Sequence, residues 1–180
     1  KYFFHWNIIV LLIYNIISYR LYLNFMNIKI TYKSQVSAKS NGNLILFVDE
    51  GFKITALKKY ISNSEYSYIS DLLNKKGTKK KVINFNISSK KKIILVSLKK
   101  NLSDADAENL GAKCYDILKE LKEKHISVNS DTIDKRRNIV GYFLHGIKLK
   151  SYKFEKYKTK KNEGDININV IGKNIPNYKD

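Results

Sequence analysis

The five consecutive apolar residues from Leu44 to Val48, LILFV, constrain this chain more than any other stretch. An alternating pattern would mark a strand with one wet face. An unbroken run, bounded by Asn41-Gly42-Asn43 on one side and Asp49-Glu50-Gly51 on the other, marks a strand covered on both faces. Such a strand lies in the middle of a sheet between helical layers, so the expected fold class is α/β, a layered fold with a mixed central sheet flanked by helices. Asp49, Glu50 and Gly51 then form the loop at the strand's carboxyl end, where open α/β sheets often take ligands.

The flanking text supplies the other elements. NIKITYKS alternates Ile28, Ile30 and Tyr32 with polar neighbours, as a half-buried strand does. A helical segment is expected across TALKKYI and YSYISDLLNKKG, stopped by Gly77. KVINFNIS and KKIILVSL read as a strand pair that makes the sheet mixed, joined by a lysine-rich, solvated turn. The clearest helix follows Ser103, which suits the N-cap position, with Asp106 in the place of a capping-box acid. Ala107, Leu110, Cys114, Ile117, Leu118 and Leu121 line one face of it. After the strand HISVN, a second helix is expected from about Thr132 to Leu149, with Ile139, Val140, Phe143, Leu144 and Ile147 facing the core. DININVIG closes the series as an alternating, edge-like strand.

The formal net charge of +18 invites a polyanionic partner. Arg20, Arg136 and Arg137 are nevertheless the only arginines among 34 basic residues, whereas nucleic-acid readers favour arginine for bidentate contacts. Lys, Asn, Ile, Tyr and Phe, all written with A/T-rich codons, are abundant, and base bias is a sufficient cause of the lysine excess. The single cysteine, Cys114, precludes an intrachain disulfide and a thiolate metal cluster. It falls in the apolar stripe of its helix and reads as a buried hydrophobe.

Residues 1–25 are apolar enough between Tyr2 and Tyr19 to approach a membrane span. Asn7 and Asn15 interrupt the run, and the text changes character at Met26. The stretch is read as translated upstream sequence, with a membrane segment as the alternative.

No metalloprotease helix, zinc spacing, P-loop or nucleophile elbow occurs. Asp49 with Glu50 lacks a partner histidine nearby in sequence, and Asp104, Asp106 and Glu108 fit a helix N-terminus. His145, beside an apolar helical stripe, reads as structural. The expectation is a chain with no catalytic, cofactor-binding or metal-binding residue of its own.

The segment GYFLHGIKLKSYKFEKYKTKK, Gly141 to Lys161, adds a family to this reading. With Gly146, Leu149, Ser151, Tyr152, Phe154, Tyr157, Lys158 and Thr159 in place, it resembles the end of the N-terminal domain in the leucyl aminopeptidase (cytosol aminopeptidase) family. The order of strands and helices agrees from about Met26 to Gly172. The resemblance implies a macro-domain-like fold over residues 26–172, with 173–180 beginning a linker toward a catalytic domain. It implies a cytoplasmic exopeptidase that releases N-terminal residues from peptides with two divalent ions, zinc, manganese or magnesium. It further implies partners in that catalytic domain and in a homo-oligomer of hexamer type. The metal motif of such enzymes belongs to their C-terminal half and is absent here, so no site residue is carried over. Macro relatives hold ADP-ribose through glycine-rich loops; the 8 glycines here are not clustered, and ADP-ribose binding is not predicted.

The leading expectation is therefore a non-catalytic N-terminal domain of a leucyl aminopeptidase. One alternative is a stand-alone basic nucleic-acid-binding module built on Lys148, Lys150, Lys153, Lys156, Lys158, Lys160 and Lys161 with Tyr152 and Tyr157. A second is a membrane-tethered α/β protein anchored by residues 8–18.

Overall fold

A computed structural model describes residues 28–33, 42–75, 80–133, 138–152 and 165–173. The apolar stretch before Met26, Gly77, the Tyr-Lys-Thr part of the family-like motif and the stub carrying Pro176 lie outside the described residues.

Among the described residues six strands form one sheet: β1 (Ile28–Lys33), β2 (Leu44–Asp49), β3 (Val82–Asn86), β4 (Lys92–Leu98), β5 (His125–Asn129) and β6 (Ile166–Ile171). Their spatial order is β1-β6-β5-β2-β4-β3. Only β3 runs antiparallel to its neighbour, β4, so the sheet is mixed, as the strand pair in the sequence implies. The LILFV strand occupies the interior and every one of its apolar residues is buried. It alternates between two cores. Ile45 and Phe47 face a cluster built with α2 (Asp104–Glu120) and α3 (Asn138–Ser151). Leu44, Leu46 and Val48 face a cluster built with α1 (Asn63–Lys75) and the 3-10 turn Thr55–Lys59. Burial of both faces is the reason the run contains no polar residue.

α2 starts where the sequence places it. The Ser103 hydroxyl accepts the Asp106 amide at 3.1 Å, and Ala107, Leu110, Cys114 and Leu118 are buried. Leu121 ends the stripe as a half-buried C-cap. α2 and α3 cross with two glycines at the contact. A Cβ on Gly111 would lie 2.0 Å from the Phe143 carbonyl oxygen, and one on Gly146 would lie 2.0 Å from that of Glu108. Neither backbone could approach so closely with a side chain in between. Phe143 then reaches the sheet and meets Phe47 edge to face, with ring centroids 5.1 Å apart.

Four expectations need correction. The helical segment from Thr55 to Lys75 is two pieces, because Ser62 and Glu65 form a capping box that starts α1 afresh. The Ser62 amide donates to the Glu65 carboxylate at 2.8 Å, and the Ser62 hydroxyl accepts the Glu65 amide at 3.3 Å. The second helix does not start near Thr132, since residues 130–132 form a separate 3-10 turn and Ile133 is extended; the described helix is Asn138–Ser151. β6 is not an edge strand: it pairs with β1 on one side and β5 on the other. Its alternation arises because Ile166, Ile168 and Val170 face the α2–α3 core while Asn167 and Asn169 face the other way, half-buried. The junction of β3 and β4 is not wholly solvated either. Lys91 pairs with Glu65 at 2.7 Å, and Lys92 pairs with Glu123, all four side chains being largely covered.

The amino ends of the central strands are tied together. The Asn43 side chain accepts the Lys92 amide at 2.9 Å and donates to the His125 carbonyl at 3.2 Å and to Glu123. No helix among the described residues is long and apolar enough to cross a membrane.

Candidate functional site

Among the described residues the carboxyl ends of the same strands are not closed in this way. β2 pairs with β4 along all six of its residues, from Leu44–Ile93 to Asp49–Leu98, but with β5 only through Leu44–Ser127 and Ile45–Val128. Beyond Ile45 the β2–β5 ladder ends, and the Phe47 amide bonds instead to the Thr132 hydroxyl at 3.0 Å. Thr132 in turn donates to the Asn129 carbonyl at 2.7 Å, so one side chain replaces the missing ladder partner and fixes the turn after β5. The chain places β4 on one side of β2 and β5 on the other, which makes β2 the point where the winding direction switches. A cleft of about 1070 Å³ opens there, lined by the loops after β2, β4 and β5 and by the 3-10 turn.

The β2 loop is pinned from several directions. The Phe52 amide donates to the Asp49 carbonyl at 3.0 Å, the Lys53 amide to Asp49 Oδ1 at 2.9 Å, and the Ser97 hydroxyl to the Asp49 carbonyl at 3.3 Å. Phe52 sits in the left-handed region at φ 53° with its side chain buried. That conformation costs a bulky residue on the order of 1–3 kcal/mol and occurs where the surrounding structure enforces it. The other non-glycine residue with positive φ, Lys122, has an ordinary cause: it follows the end of α2, and the Glu123 amide returns to the Leu118 carbonyl as in a helix-terminating motif.

On the β5 side, Asn129 Oδ1 accepts the Asp131 amide at 3.0 Å and the Ser130 hydroxyl donates to the Ile171 carbonyl at 3.0 Å. Asp131 Oδ1 accepts the Lys173 amide at 2.7 Å. Gly172, at φ 130°, makes this junction feasible, because a Cβ there would lie 2.4 Å from Ser130 Oγ. Tyr60 is half-buried in the cleft wall. Burial pushes its phenol above the ordinary value and the nearby Asp131 charge adds to the rise, so Tyr60 is neutral and a hydrogen-bond donor at physiological pH.

The charges are arranged unevenly. Lys99 and Lys100 follow β4, Asp131 follows β5, and Asp49, Glu50 and Lys53 lie between them on the β2 loop. Lys59 stands beside Tyr60 on the 3-10 turn.

Asp49 and Glu50, singled out from the sequence, do line the cleft, whereas Asp104 and Asp106 occupy the first turn of α2. Glu108 lies one turn further on and binds His145 Nδ1 of α3 at 2.8 Å, a link between two helices away from the cleft. Cys114 is fully buried and its thiol is pushed up to about 12, which removes it from nucleophilic chemistry. Tyr60, Lys59, Lys99, Lys100, Asp131 and Thr132 escaped the sequence reading. Asn129, Ser130 and Asp131 at the end of HISVN carry a usable turn signal that the sequence reading does not use.

The donor set does not suit a divalent ion. Among the described residues no group of three or more His, Cys, Asp or Glu side chains converges, and the Asp49 and Asp131 carboxylates both accept backbone amides.

The family model for the cytosol aminopeptidase family, N-terminal domain, matches residues 45–161, well over half of the chain. No curated protein matches. Among solved structures, a mutant of tomato leucine aminopeptidase aligns with a TM-score of 0.63 and 19% identity, over 83% of this chain and 33% of that one. This chain thus spans about a third of the tomato enzyme's length. The macrodomain of Thermus aquaticus DarG aligns with a TM-score of 0.54 and 8% identity, over 81% of this chain and 99% of that domain. At these identities the two structures bear on the fold alone: a macro-like layered sheet.

Proposed function

Because the chain belongs to the cytosol aminopeptidase family, as its N-terminal domain, we propose that it serves as the non-catalytic N-terminal domain of a cytoplasmic leucyl aminopeptidase. The family match over residues 45–161 carries this reading. In it, hydrolysis belongs to a separate catalytic domain, whose two divalent ions would activate water and polarise the scissile carbonyl. The domain described here contributes a rigid α/β body that packs beside that domain, supports a homo-oligomer and shapes access to its active site.

Cys114, fully buried with its thiol pushed up to about 12, takes no part in such chemistry.

The 180-residue chain is expected to leave an aminoacyl-anilide substrate unhydrolysed with manganese or zinc supplied, and metal-dependent turnover would overturn the non-catalytic assignment. Reading the gene downstream of the codon for Asp180 tests the enzyme assignment directly. An in-frame catalytic domain is expected, and an unrelated neighbour would sink it.

A further inference from the structure

We draw no further inference here: the strongest candidate, the polar half-face of the sheet that Thr31 of β1, Asn167 and Asn169 of β6 and Ser127 of β5 present away from the α2–α3 core, carries none, because nothing among the described residues shows what covers it.

Discussion

Gly111 and Gly146 illustrate how single residues govern this fold. Each faces the other helix's backbone, so a methyl group at either position collides with a main-chain oxygen that no rotamer change can move. Gly146→Ala is expected to force α2 and α3 apart and to destabilise the chain by about 1–3 kcal/mol, read by thermal melting. Glu65 offers a test by pH. Burial alone would raise its pKa, but hydrogen bonds from Lys91 and from the Ser62 amide, with the Lys91 charge, more than offset burial and hold the carboxyl below its ordinary 4.5. A depressed folded pKa contributes stability that is present above about pH 4.5 and lost as pH falls through the folded value. Glu65→Gln should therefore be less stable than the parent chain at pH 7, with the gap narrowing in chemical denaturation series below pH 4.5. A gap that stays constant down to pH 3 would contradict the sign of the shift.

At the scale of elements, what the sequence made legible depended on how local the cause was. The LILFV and IILV runs announce themselves because burial on both faces excludes polar residues from them. The start of α2 is legible because Ser103 and Asp106 cap it within one turn. The break before α1 uses an equally local device, Ser62 with Glu65, hidden by helix-compatible residues on both sides. Alternation in β6 reports which face is covered and carries no information on how many neighbours the strand has. The start of α3 was misplaced because Thr132 serves a distant partner, the Phe47 amide, and such a partner exists only once β5 lies beside β2. Thr132→Val is expected to strand that amide and to cost about 1–3 kcal/mol, measured by urea denaturation. Ser103→Ala should cost about 1 kcal/mol through loss of the α2 cap. A Thr132→Val chain as stable as its parent would show that water satisfies the Phe47 amide.

Over the whole molecule, the two ends of the sheet differ in kind. Asn43, Glu123 and Lys92 bind the amino ends into a closed cluster, whereas the carboxyl ends diverge around the cleft. The general location of the cleft was legible from Asp49–Gly51, because the carboxyl end of a central strand is a ligand position in such sheets. Its composition was not, because Lys99, Lys100 and Asp131 meet only through the strand order, and local patterns do not encode that order. The helical face carries one more consequence. Cys114 is the chain's single thiol and lies sealed between α2 and the sheet. A thiol reagent can reach it only when that layer lifts away, so the native protein carries its own opening counter. At saturating reagent the labelling rate gives the frequency with which α2 leaves the sheet. Gly146→Ala, by loosening the neighbouring crossing, should make that clock run faster.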